Sequence, residues 1–258
     1  RPVERVASEL RNRDATRLDP VSEAELPTEI EPMVRSMNGL LERLRRAFAA
    51  QRAFVADAAH ELRTPIAALK LQAGLLGRAQ DDQARAEALT QLNAGIDRSA
   101  HLVGQLLTLA RSEPDARAPD GGPIDLAAIA GGAVAEMTPL AESRQATIAF
   151  SAPDSAPMAG DGRGLHSLVR NLIDNALTHS PPGVRVQVAI ERGERELTLC
   201  VDDDGPGIPT DERERVFNRF YRRAPGERDG SGLGLAIVKA VVERHRGSIE
   251  LAQSPLGG

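Results

Sequence analysis

Residues 184–207 read Val-Arg-Val-Gln-Val-Ala-Ile-Glu-Arg-Gly-Glu-Arg-Glu-Leu-Thr-Leu-Cys-Val-Asp-Asp-Asp-Gly-Pro-Gly, and they decide the fold. Val184, Val186, Val188 and Ile190 alternate strictly with other residues, as do Leu197, Leu199 and Val201. Arg192-Gly193 supplies the turn between two half-buried strands, so the stretch is a β-hairpin. Cys200, the only cysteine, lies in the second strand and reads as a small buried hydrophobe, which excludes a disulfide framework.

Upstream, Leu165, Leu168, Val169, Leu172, Ile173 and Ala176 follow helical spacing, and Thr147 to Phe150 form a short strand. A helix is expected over 124–143. Downstream, Leu233 to His245 form a last helix, and Ser248 to Leu251 a strand. A sheet with helices on one face is the natural assembly.

The first 115 residues are of another kind. Leu41, Leu44, Phe48, Gln51, Val55, Ala58 and Leu62 recur in steps of three and four, and so do Leu89, Leu92, Ile96, Ser99, Val103, Leu106 and Ala110. Gly77 to Gln83 is the turn between them. Each helix carries one apolar stripe, too little to bury itself in a lone hairpin, so a homodimer forming a four-helix bundle is expected. Ahead of these, Asp19-Pro20 and Pro27 separate a short helix over about 2–13 from the long helix beginning near Ile30. A Pro/Gly/Asp-rich linker, 112–123, joins the halves. The fold class is therefore α+β: N-terminal helical hairpins, then an α/β sandwich.

Composition agrees. Aromatic residues make up 2% of the 258 and charged residues 27%, which suits helical packing better than an all-β core. A net charge of −5 with interspersed signs gives nucleic acid no footprint. No apolar run approaches the ~20 residues of a membrane span. Both ends read as cuts in a longer protein.

Four places carry chemistry. His60 falls at an outward position of the first seam, Glu61 follows it, and Thr64 lies one turn on along the same face. Pro65 then removes a backbone donor and leaves the Glu61 carbonyl without its helical partner, which weakens the helix there. An exposed imidazole beside a carboxylate can attack through one ring nitrogen while the other keeps its proton; a surface histidine alone can equally be idle. The zinc-protease pattern fails, because Thr64 stands where its second His is needed. Asn171 and Asn175 share a helix face, with His179 one turn further. They can hold hydrated magnesium, or be merely a polar face. Asp203-Asp204-Gly205-Pro206-Gly207 ends a strand, where a carboxylate can accept from an adenine amino group; it can also be an ordinary turn. Gly230-Ser231-Gly232-Leu233-Gly234-Leu235 opens the last helix, where free N–H groups can meet phosphates. It is neither a Walker loop nor a dinucleotide fingerprint.

In this order and spacing the four stretches closely resemble the sensor histidine kinases of bacterial two-component systems. Phe54 to Pro65 resembles the phospho-acceptor box and Asn171 to Ala176 the asparagine box. Asp203–Gly207 and Gly230–Leu235 resemble the glycine boxes, with Val216 to Arg222 the phenylalanine box between them. Residues 1 to about 46 resemble the HAMP linker. The resemblance implies a HAMP-like segment (1–48), a dimerisation and phosphotransfer hairpin (49–115) and an ATP-binding domain (116–258) with a truncated C-terminal strand.

It further implies ATP-dependent autophosphorylation of His60, with Glu61 as base or orienting partner and Thr64 aligning water for phosphatase activity. Phosphate would pass to an aspartate of a response regulator's receiver domain. Asn171 and Asn175 would bind Mg2+ and phosphates, and Asp203 the adenine. Gly205, Gly207, Phe220, Tyr221, Arg222, Gly230, Gly232, Leu233 and Gly234 would shape the ATP pocket beside His179, under a lid from Tyr221 to Asp229. The family context places this piece on the cytoplasmic side of a bacterial inner membrane, anchored through an N-terminal transmembrane part absent here. Two departures stand out: Thr178 replaces the family's usual Lys or Arg, and His179 its aromatic, so Arg222 or Arg223 would have to compensate. Two rivals keep the sequence features, a non-transferring ATPase of the same superfamily and a scaffold with a degenerate ATP domain.

Overall fold

A computed structural model describes residues 18–22, 27–28, 30–79, 81–111, 122–194, 196–222 and 231–257. The expected helix over 2–13, most of the linker, Gly230, Arg223 and nearly all of the lid fall outside them. The chain divides into two compact units, 1–64 and 65–258.

In the first unit the helix α1 (Glu31–Leu76) begins. Val21 and Val34 are buried against each other, with Ile30, Met37 and Leu41 packed around them. Asn38 clamps the preceding segment: its Oδ1 accepts from Val21 N at 2.7 Å and its Nδ2 donates to Val21 O at 2.9 Å. Glu42 accepts from Arg45 and Arg46 on the exposed face, which holds its carboxyl below the usual range. Leu44, Phe48 and Val55 of the expected seam are exposed on the single chain, as a stripe awaiting a partner would be. The helix runs on through Pro65.

In the second unit the last turns of α1 pack on α2 (Asp82–Arg111). Gly95 makes the close approach, since a Cβ there would stand 2.6 Å from Gln72 Oε1 and 2.9 Å from Leu69 Cδ2. Ser99, a polar member of the second seam, donates its hydroxyl to Gly95 O at 2.8 Å. Leu102, Leu106 and Leu109 are buried within the one chain, so this end of α2 serves the domain that follows.

That domain contains β1 (Pro123–Asp125), α3 (Leu126–Ser143), β2 (Thr147–Ser151), β3 (Pro157–Ala159), α4 (Gly162–His179), β4 (Arg185–Arg192), β5 (Leu197–Asp203), a 3-10 turn (Arg215–Phe217) and α5 (Gly234–Arg244). The hairpin is β4–β5, in the register Val188↔Val201, and β2 adds to β4 in parallel. Val186, Val188 and Ile190 are buried on the same side of β4. Alternation with exposed Arg185 and Gln187 puts the helices on that face: α3 and α5 flank α4. Ile173, Leu177, Ile237 and Val238 complete the core.

Three expectations are corrected. The helix expected from 124 begins at Leu126, because β1 pairs antiparallel with β3 and Asp125 caps the helix. Its Oδ1 accepts from Ala127 N at 3.0 Å and Ala156 N at 2.9 Å, and its Oδ2 from Ser155 Oγ at 2.8 Å. The strand expected over 248–251 forms no ladder among the described residues; Arg213 Nη1 donates to the Leu251 carbonyl instead, at 3.0 Å. Cys200 is half-buried rather than buried. Burial first, then the nearby Asp202 charge, pushes its thiol up. No described helix is long and apolar enough to cross a membrane.

Candidate ATP-binding and phospho-acceptor sites

Helix α4 starts at Asp161, whose side chain caps Arg163 N at 3.1 Å. Its start is tied to the end of α5. His245 Nδ1 donates to Val241 O at 2.7 Å, which leaves Nε2 to accept from Asp161 N at 2.9 Å. On this fixed helix Asn171 is only 5% exposed. Its Nδ2 donates to Ser167 O at 2.7 Å and lies 3.3 Å from Ser167 Oγ, so Oδ1 points the other way. Asn175, one turn on, is half-buried, and His179 at the helix end is exposed rather than stacked in a pocket.

The glycine turn before α5 meets Asn171 on that oxygen side. A Cβ on Gly234 would come within 3.3 Å of Asn171 Oδ1. Leu233 is fully buried and anchors the turn. Gly232 sits at φ +66°, and a Cβ there would stand 2.8 Å from both Phe220 C and Tyr221 O, so only glycine fits. Phe220, itself at φ +59°, donates its N–H to Gly232 O at 2.9 Å. Thus the phenylalanine stretch and the glycine turn are hooked together. Tyr221 lies under the Arg215 guanidinium, 5.1 Å from the ring centroid, and Arg222 is exposed.

Of three successive aspartates, the structure separates the roles of two. Asp204 turns to Arg185, accepting from its N at 2.7 Å and its Nε at 2.8 Å, which holds the carboxyl below the usual range. Asp203 turns inward: its Oδ1 accepts from Gly205 N at 2.8 Å and from Ser180 Oγ at 3.4 Å. One carboxylate oxygen is thereby fixed and Oδ2 is left for a further donor. Gly207 follows at φ +66°.

Two residues here carry no signal in the sequence. Ser180 orients Asp203, and Gln105 from α2 reaches the asparagine helix and the glycine turn, donating to Asn171 Oδ1 at 3.2 Å and accepting from Ser231 Oγ at 2.7 Å. One turn before it, His101 Nδ1 accepts from Arg170 Nη2 at 3.0 Å. A guanidinium can only donate, so this imidazole is neutral with its proton on Nε2. Burial, and secondly the Arg170 charge, hold it below the ordinary value, against the weaker pull of Asp174 and Glu136. Glu136 also lies 3.4 Å from Arg170 Nε and 3.3 Å from His166 Nε2.

The structure thus brings Asn171, Gly232, Leu233 and Gly234 together, and Asp203 to Gly205. His60 and Thr64 are exposed in the other unit, with Glu61 half-buried between them. Among the described residues no group of three or more acidic, His or Cys side chains could hold a metal ion.

Residues 160–258 match the family described as histidine kinase-, DNA gyrase B- and HSP90-like ATPase. Residues 50–115 match the His kinase A phospho-acceptor domain, and 1–46 a HAMP domain of the kind in PhoQ-like sensor proteins. The chain is 37% identical over 253 residues to the sensor protein kinase PmrB of Pseudomonas aeruginosa, covering 98% of this chain and 53% of that protein. It is 36% identical over 259 residues to the sensor protein QseC of Escherichia coli, covering 100% and 57%. The chain therefore spans about half the length of these curated relatives. The histidine kinase AdeS of Acinetobacter baumannii superposes with a TM-score of 0.57 at 25% identity, over 72% of this chain and 86% of that one.

Proposed function

Because the chain belongs to the sensor histidine kinases of two-component systems, we propose that it transfers the γ-phosphate of ATP to His60 and passes it to an aspartate of a response regulator's receiver domain. The segments would be a HAMP-like linker over 1–48, a dimerising phosphotransfer hairpin over 49–115 and a catalytic domain over 116–258. The observation that carries this reading is the buried Asn171 amide oxygen facing the glycine turn of α5, in a domain whose Asp203 keeps one carboxylate oxygen available.

Each side chain has a task. Asp203 Oδ2 accepts from the adenine amino group, its other oxygen being held by Gly205 and Ser180. Asn171 and Asn175 offer oxygens to the hydrated magnesium that accompanies the triphosphate. Magnesium, when bound, neutralises charge on the phosphates. Gly232 and Gly234 let backbone come close to them. Glu61 orients the His60 ring and takes its proton, and Thr64, exposed on the same face, aligns a water for the phosphatase reaction. Little covalent help is required, because phosphoryl transfer is governed by positioning and charge neutralisation. The exposed stripe of Leu44, Phe48 and Val55 supports a homodimer, and the HAMP match supports a membrane-anchored protein whose kinase part is cytoplasmic.

The test is incubation of the chain with γ-labelled ATP and magnesium. Acid-labile, alkali-stable label on the protein, lost in His60→Gln while nucleotide binding persists, is the expected result. Label retained by His60→Gln refutes the acceptor. Free phosphate without protein label makes the chain an ATPase, and neither product makes it a scaffold.

A further inference from the structure

Gln105 is 7% exposed at the end of α2, among the apolar side chains of Leu102, Leu106 and Leu109. A buried amide is retained there only if both ends are satisfied. They are, by two motifs far away in sequence: Nε2 donates to Asn171 Oδ1 at 3.2 Å, and Oε1 accepts from Ser231 Oγ at 2.7 Å. Ser231 Oγ in turn accepts from Leu233 N at 3.2 Å, at the very start of α5.

These are groups a magnesium–triphosphate would take. Asn171 has one side-chain oxygen, and its Nδ2 is committed to Ser167. That oxygen meets the Gln105 donor on one side and lies against the Gly234 backbone on another, in a residue 5% exposed. A hydrated cation, several ångströms across with its waters, has no approach while Gln105 stays. The Leu233 N–H, one of the free donors at the helix start, is also taken through Ser231.

We propose that Gln105 is an internal competitor for the triphosphate site: its amide holds Asn171 and Ser231 in place of the metal–phosphate group, so that docking of α2 and binding of Mg·ATP oppose each other. This rests on the reading of Asn171 as a metal ligand. The coupling is reciprocal: whatever loosens α2 tightens ATP binding, and ATP pushes α2 off by the same factor. His101, one turn earlier on α2, bonds Arg170 next to Asn171 and keeps the competitor seated.

Calorimetric titration of the full chain with a non-hydrolysable ATP analogue and magnesium tests it. Gln105→Ala should bind about tenfold more tightly than the wild type, the size expected from removing two hydrogen bonds that the nucleotide must otherwise break. Gln105→Asn, which stays polar but cannot span both partners, should also bind more tightly and serves if the alanine variant fails to fold. Unchanged or weaker binding by the folded variants overturns the competitor. Asn171→Ala separates the two ideas. If it binds as the wild type does, the metal-ligand reading fails. If it loses binding while the Gln105 variants match the wild type, that reading stands and the competitor alone is wrong.

Discussion

Adding one methyl group at Gly205 should cripple nucleotide binding. An alanine Cβ would stand 2.1 Å from Ser180 Oγ, 2.6 Å from Asp203 Oδ1 and 3.0 Å from Ser180 Cβ. The serine hydroxyl can rotate away at the loss of its 3.4 Å bond to Asp203. The carboxylate can turn only by giving up the 2.8 Å bond from Gly205 N. Forced overpacking costs about 1–3 kcal/mol, and a hydrogen bond to a charged group is worth about 1.5–3 kcal/mol. Since the displaced carboxylate is the proposed adenine acceptor, about 1.5–3 kcal/mol should appear in binding, or roughly a 10- to 150-fold weaker affinity. Calorimetric titration with an ATP analogue, beside thermal melting followed by circular dichroism, measures both parts. Ser180→Gly in the same chain removes two of the three contacts and should recover part of the loss. Gly205→Ala with wild-type affinity and melting temperature would refute the reasoning, because Asp203 would then be free of its turn.

Asp203→Asn should weaken ATP far more than GTP, since an amide nitrogen facing the adenine amino group offers donor to donor; equal losses in competition assays would place the base elsewhere. Thr64→Ala should leave autophosphorylation within about twofold but lower the release of phosphate from the regulator, as its exposed hydroxyl lies one turn from His60; a parallel fall in both rates would contradict that role. Because burial and Arg170 hold His101 below its ordinary value, stability should be level above about pH 6.5 and fall as pH drops below it, where the unfolded chain takes a proton the folded chain resists. Melting temperatures across that range should lose this slope in His101→Gln, and an identical slope in the variant would assign it to other groups. Gly95→Val, driven against Gln72 and Leu69, should cost about 1–3 kcal/mol in urea unfolding, and an unchanged midpoint would mean the ends of those two side chains swing aside without loss.

The long-range rhythm of the chain is legible because it repeats. The heptad seams, the strict alternation of β4 and β5 and the spacing in α4 all announce their elements over several turns or strand residues. Pro157-Met158-Ala159 and Pro123-Ile124-Asp125 do not. Three residues cannot display a period, and each ribbon strand begins at a proline, so the start of α3 is misplaced by its preceding strand. The 248–251 segment errs the other way: its composition suits a strand, but extended backbone becomes a strand only when its N–H and C=O groups find a ladder. Asp203 ends β5, and Gly232 and Gly234 lie at the start of α5. Gln105 and Ser180 stayed hidden because their contacts join residues 66, 126 and 23 positions apart, a relation no local pattern encodes.

The hook between Phe220 and Gly232 has a consequence for how this region can vary. One backbone bond, enforced by two left-handed residues, ties the end of the phenylalanine stretch to the turn before α5. A side chain at 232 would collide with the Phe220 and Tyr221 backbone, so the two positions are coupled through main chain. The register of the stretch against the helix start is therefore held without side chains, and those of residues 216–219 can vary without moving the start of α5.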